Sequence, residues 1–339
     1  MHHKTGYKAV LAAVFLLGAA SGNVAAAWTT IDIGTTSAQW FTSAFGNLPD
    51  GRLIYGEHGN IFLQDSWGSS SFTAYSAVPS GMDPSLIAVY DNSAALIGSG
   101  GWGASDVYSF TPNSTGSSFS SVANIQNYDA VFKDADGFYL SGASTGTGND
   151  RHGVRYMSVD GAVNKVVIDD ISQYSSGMAL DSGGNLYVAD NDDDKVFRFT
   201  GTQLENAILG TALSIDDGEL IYDFAAGMTG SIAVDSEGVL WAAGWGANGF
   251  VSYDPVLDEL SRYTPGADNT NYKLGTFSDG SKNYVAFLNA DGTSTGSKLL
   301  YGYADASLVP EPGSALLALC GLLAFGIRRL AFTLRSLIE

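Results

Sequence analysis

From residue 28 onward the chain is dominated by short segments in which apolar and polar residues take turns. Lys195-Val196-Phe197-Arg198-Phe199 and Gly249-Phe250-Val251-Ser252-Tyr253 are two of them. A period of two sends successive side chains to opposite faces of an extended backbone, so each segment predicts a β-strand. No long amphipathic helical pattern interrupts them. The chain holds 42 glycines and only 8 prolines, which suits many tight turns, because glycine adopts positive φ at little cost.

The pattern repeats. Each unit runs apolar strand, Asp-Gly-type turn, second apolar strand, polar loop, third strand, fourth strand. The clearest copies are Ser176 to Asp190 and Gly230 to Ala243, with weaker ones around Asp50, Asp91, Asp134 and Asp279. The turn aspartates at 50, 91, 134, 181, 235 and 279 are spaced by 41, 43, 47, 54 and 44 residues. A period of roughly 40–50 residues with several short strands per unit predicts a β-propeller. The expected fold is therefore all-β, a six-bladed propeller of four-stranded blades over residues 28–305. The sixth unit offers only Tyr272–Phe277, Asn283–Leu288 and Lys298–Tyr303. Trp28–Ile33 is a spare strand, predicted to pair as the outermost strand of the last blade, closing the ring and covering an edge that invites aggregation. The fourth unit, Gly177-Met178-Ala179-Leu180-Asp181 joined to Leu186-Tyr187-Val188-Ala189-Asp190, resembles an NHL-type repeat. The region as a whole is similar to NHL/SMP-30-like six-bladed propellers, and that resemblance implies a central channel ringed by ligand-binding loops.

Both ends of the chain read as addresses. Lys4 and Lys8, the apolar run from Ala9 to Ala20 and the small residues Ala25-Ala26-Ala27 form the pattern of a secretory signal over residues 1–27. Residues 306–339 contain Pro310-Glu311-Pro312, an apolar segment at 315–327 and the pair Arg328-Arg329. Thirteen apolar residues are fewer than the roughly 20 that span a bilayer as a helix, but arginine side chains can snorkel to the interface. This tail resembles the sorting signal of PEP-CTERM proteins. The resemblance implies a Gram-negative bacterium, processing by an exosortase and a destination on the cell surface or in the extracellular matrix. Leu330 to Glu339 continue past the point where tails of that family usually stop.

Charge and cysteine content narrow the partners. Of 16 basic and 35 acidic residues, five and two fall outside 28–309, which leaves 11 against 33. So negative a surface repels nucleic acid and anionic lipid, leaving the tail as the only expected membrane contact. It suits cations and, through them, an acidic exopolysaccharide; another surface protein is the alternative partner. Cys320, in the tail, is the only cysteine, so residues 28–305 have neither a disulfide nor a thiol nucleophile. His58 and His152 are the only histidines after residue 27, too few for a three-imidazole zinc site. There is no nucleophile elbow and no phosphate-cradling loop.

The candidate ligand residues come from the loops between second and third strands, which share one face in a propeller. They are Glu57 and His58, Trp102, Arg151 and His152, Trp245 and Asn289. Gly101-Trp102-Gly103-Ala104 and Gly244-Trp245-Gly246-Ala247 are near copies; a tryptophan between glycines can stack on a sugar or pack between blades. Asp190, Asp192, Asp193 and Asp194 are oxygen donors that could hold Ca²⁺, or one turn cap followed by a solvated loop. The expected function is that of an exported surface or matrix protein that binds exopolysaccharide or another extracellular partner without catalysis. The alternatives are a divalent-metal-dependent, lactonase-like propeller hydrolase or lyase, drawing on Glu57, Asp190 and Asn289, and a purely structural module.

Overall fold

The computed structural model describes residues 28–36, 43–57, 59–79, 82, 84–99, 104–112, 116, 118–144, 152–171, 177–191, 193–224, 229–244, 250–263, 270–280, 283–290 and 297–304. Trp28–Tyr303 form one compact unit. It is an all-β propeller. After an N-terminal strand, β1 (Trp28–Thr36), the first sheet comprises β2 (Ser43–Asn47), β3 (Leu53–Glu57), β4 (Asn60–Gln64) and β5 (Phe72–Ala77). The second holds β6 (Leu86–Val89), β7 (Ala95–Gly98), β8 (Ser105–Phe110) and β9 (Ser120–Ile125). The third holds β10 (Ala130–Phe132), β11 (Gly137–Ser144), β12 (His152–Ser158) and β13 (Asn164–Ile171). The fourth runs β14 (Met178–Leu180), β15 (Leu186–Asp190), β16 (Lys195–Phe199) and β18 (Glu219–Asp223); between its last two strands lie helix α1 (Gly201–Leu209) and β17 (Leu213–Ser214). The fifth holds β19 (Ser231–Val234), β20 (Leu240–Ala243), β21 (Phe250–Asp254) and β22 (Glu259–Tyr263). The last joins β23 (Thr270–Ser278), β24 (Asn283–Ala290) and β25 (Ser297–Ala304) to β1, which lies at its outer edge beside β25.

Five of these sheets have four strands and the third has five, because β17 adds to β13 in parallel. That departs from a uniform four-stranded pattern. The inner strands β2, β6, β10, β14, β19 and β23 neighbour one another in that order, and β23 returns to β2. A separate apolar cluster fills each gap between neighbouring sheets. Ile54, Ile61, Ile87 and Ile97 lie between the first two, and Trp241, Phe250, Val285 and Phe287 between the fifth and last. Phe45, Leu53 and Tyr55 meet Ala286 where the last sheet meets the first. Each fully buried large apolar side chain contributes about 1.5–3 kcal/mol, whereas exposed pairs such as Lys195 Nζ–Asp193 Oδ2, 3.1 Å, contribute about 0–1 kcal/mol. Packing between sheets holds the ring. It also explains why β7, β20 and β15 up to Ala189 are apolar without alternation: sandwiched on both faces, all their residues are buried.

The repeat aspartates occupy the turns from inner to second strand. Asp181 Oδ1 accepts from the N–H groups of Gly183 (2.8 Å) and Asn185 (2.9 Å), and Asp235 Oδ1 from Glu237 (2.9 Å) and Val239 (3.0 Å). Asp91 and Asp134 do the same for Ser93 and Ala94, and for Asp136 and Gly137. These are Asx turns, in which a short carboxylate replaces a backbone acceptor. In the fifth sheet the second strand reaches back as well, through Trp241 Nε1 to Asp235 Oδ2 at 3.0 Å.

The 54-residue interval between Asp181 and Asp235 is the longest because α1 is inserted there. Thr200 caps the helix in a reciprocal box with Gln203, and Leu204 and Ala207 are buried in the core shared by the third and fourth sheets. Lys133 Nζ bridges Asp134 (2.8 Å) and Glu205 (2.9 Å), tying α1 to the third sheet. No helix among the described residues is long and apolar enough to cross a membrane. The segment 315–327, with Pro310, Glu311, Pro312, Arg328 and Arg329, lies outside the described residues.

Candidate functional site

The six inner strands surround a central cavity of about 370 Å³. Residues of all six inner strands line it, among them Phe45, Ile87, Met178, Ile232 and Leu274, and it contains two charged groups, Asp129 and Lys273. Asp129 immediately precedes β10 in the third sheet, and Lys273 lies near the start of β23 in the last. Two inner strands separate them in either direction around the ring, so they face each other across the channel.

Their surroundings tie both to the wall. Asp129 Oδ2 accepts from the Met178 N–H at 2.8 Å and Oδ1 from the Ala130 N–H at 3.0 Å, a staple from the third sheet to the fourth. Ser231 Oγ plays the same part between the fifth sheet and the last, accepting from the Leu274 N–H at 3.0 Å. Lys273 Nζ donates across the channel to the Tyr128 carbonyl at 3.4 Å. The Asp129 carboxyl borders the cavity, yet protein surrounds it. Burial pushes its pKa above the ordinary aspartate range, against the pull of the Lys273 ammonium and of the Met178 and Ala130 N–H groups. The arrangement presents a cation and a carboxylate with raised basicity to one small chamber. It can orient an oxygen-rich molecule and exchange a proton with it.

This end of the channel is also where second strands pass into third strands. Ser43 pairs with Glu57 and Thr270 with Ala290, while the Tyr128 N–H donates to the Ser141 carbonyl at 3.0 Å. The described second strands therefore finish at the same end as Asp129 and Lys273. Of the loop residues chosen from sequence, Trp102, Trp245, His58, Arg151 and Asp192 lie outside the described residues. Glu57 closes β3 and Asn289 sits in β24 opposite Asn271. His152 is not a loop residue. It opens β12, paired with Ser144 and Ile171, and is buried with its ring 6.2 Å from that of Tyr128.

The acidic run divides in the same way. Asp190 is the buried last residue of β15, opposite Lys195. Asp193 pairs with Lys195 in the open. Asp194 has φ 55°, its carboxylate accepts from Thr229 Oγ1 at 3.3 Å, and its carbonyl accepts from the Phe224 N–H at 2.7 Å. These are turn and sheet roles. Among the described residues no three His, Cys, Asp or Glu side chains converge to hold a metal. In the channel, the carboxylate is already countered by an ammonium. The described donors do not fit a divalent ion.

Asp129 and Lys273 were not singled out from sequence, although a signal was there. Tyr128-Asp129-Ala130-Val131-Phe132 and Tyr272-Lys273-Leu274 each place a tyrosine and then a charge, of opposite sign, at the head of an inner strand.

No protein-family model and no curated protein matches this chain. Solved structures match over most of its length. The calcium-binding protein regucalcin from Agrobacterium tumefaciens shares 14% identity at a TM-score of 0.59, over 82% of this chain and 95% of its own. A gluconolactonase from Xanthomonas campestris shares 14% at 0.58, over 84% and 93%. A PQQ-bound aldose sugar dehydrogenase from Streptomyces coelicolor shares 12% at 0.57, over 82% and 99%. At such identities the likeness is one of fold alone, a β-propeller.

Proposed function

We propose that this chain is an exported propeller that hydrolyses a small lactone-like molecule in its central channel, with Asp129 and Lys273 as the working pair. The observation that carries the reading is their position, opposite charges on opposite walls of one chamber. The fold shared with a gluconolactonase supports it by analogy. In the reaction, the Asp129 carboxylate takes a proton from water as the water oxygen bonds to the lactone carbonyl carbon. Lys273 holds the oxygen that becomes negative. The ring C–O bond then breaks, the leaving oxygen takes the proton from Asp129, and a hydroxy acid results. No step runs through a metal; calcium binding is a property of the Agrobacterium protein. We read the six sheets as six blades of one ring, completed by the N-terminal strand.

The test is a panel of sugar lactones with the purified propeller, with and without chelator. Turnover should persist in chelator and fall at least about 100-fold in Lys273→Met and Asp129→Asn. No turnover, turnover abolished by chelator, or turnover untouched by both substitutions would overturn the reading.

A second reading is a surface protein that binds exopolysaccharide or another exported partner without catalysis. It is favoured by the staple that Asp129 makes to Met178, since a structural carboxylate needs no substrate. Either way, residues 1–27 act as the export signal and Pro310-Glu311-Pro312 as the exosortase recognition element. Replacing that triplet with alanines should keep the full-length tail in the membrane fraction; unaltered release would remove the sorting role.

A further inference from the structure

A second cavity, of about 380 Å³, adjoins the channel at its other end, and both cavities are lined by Asn47, Tyr90 and Thr276. The rest of its wall comes from the segments that leave the inner strands: Leu48 and Pro49, Ser236, Phe277 and Ser278. None of these side chains is charged. Two are aromatic and four carry a neutral hydroxyl or amide, the mixture that stacks against and hydrogen-bonds a sugar ring.

Two further observations define the ligand. Asn47 Nδ2 is buried and finds no acceptor among the described residues. Its side chain lies against Gly275, where a β-carbon would come within 2.7 Å of Asn47 Oδ1. A buried donor without an acceptor is costly, and turning the Asn47 amide toward a ligand oxygen in the cavity would relieve that cost. The second observation is charge. Asp50, Asp91, Asp235 and Asp279 are the immediate chain neighbours of Pro49, Tyr90, Ser236 and Ser278. Asp91 is held below the ordinary aspartate range by hydrogen bonds from Ser93. A neutral wall whose chain neighbours are carboxylates disfavours anions.

We propose that this far mouth is a binding site for a neutral, polyhydroxylated saccharide unit, which Asn47 anchors and Tyr90 covers. Tyr90 is 41% exposed and its ring packs 5.5 Å from that of Phe132, so it can take a sugar face without leaving its place. The site shares Asn47, Tyr90 and Thr276 with the channel but lies at the end away from Asp129 and Lys273, and it does not depend on the lactonase reading.

The experiment is saturation-transfer NMR on the propeller with cellobiose, and with glucuronic acid as the anionic control. Cellobiose should receive saturation and glucuronic acid should not. Tyr90→Ala should weaken cellobiose at least about tenfold, and Ser236→Ala measurably, with thermal unfolding confirming that both variants are folded. Lys273→Met should leave cellobiose binding unchanged, which separates failure here from failure of the channel chemistry. No transfer to cellobiose, equal transfer to glucuronic acid, or transfer indifferent to both Tyr90→Ala and Ser236→Ala would overturn the proposal.

Discussion

The two ends of the channel are built from the same six strands and differ in where charge sits. At the end where inner strands begin, the charges Asp129 and Lys273 line the chamber itself. At the end where inner strands finish, the wall is neutral and carboxylates are kept to the rim, engaged by turns. One end has charge without a crown of turns, and the other has the crown with a neutral centre. In a repeat fold the consensus residue serves the repeat. The proposed chemistry falls where one unit departs from it, as Asp129 and Lys273 do.

That contrast can be tested. The largest effect belongs to Lys273→Met, which should cost at least about 100-fold, or about 2.7 kcal/mol, in lactone turnover and nothing at the far mouth. Asp235→Ala comes next, as a matter of stability. It removes the acceptor of Glu237, Val239 and Trp241 and should cost about 1–3 kcal/mol in urea unfolding. A neutral result would show that the crown is decorative. Tyr90→Ala is smaller, about 1.4 kcal/mol on cellobiose alone. The most delicate probe is pH. The raised pKa of Asp129 means its base form disappears at higher pH than that of an ordinary aspartate. The acid limb of kcat/KM should therefore lie above that of an ordinary aspartate and vanish in Asp129→Asn. Cellobiose binding should be flat across that limb. If both activities shared one limb, the two ends would be one site.

Much of the fold was legible because the repeat is written in residues with one local job. The aspartates at 50, 91, 134, 181, 235 and 279 mark turns, and alternation marks strands. The spare strand Trp28–Ile33 lies within β1 at the edge of the last sheet. Helix α1 was missed because nine residues carry little periodicity, although Thr200 and Gln203 form a readable capping box. The site was less legible. Loops on one face can be found from strand order, but which residues converge depends on ring closure. Asp129 and Lys273 are 144 positions apart in the chain, and only opposition across the channel brings them together. His152 shows the reverse error, expected in a loop between second and third strands and found buried in β12.

Strand β1 has a consequence for biogenesis. It joins the sheet that the chain makes last, so the seam forms only after Ser297 has followed Thr36, some 260 residues later. Bringing ends so far apart together costs about 5 kcal/mol of chain entropy, repaid only when the final sheet zips. Such long-range pairing is slow. On the proposed export route, the polypeptide would therefore stay unlatched, and pliable enough to pass, until nearly all of it had crossed.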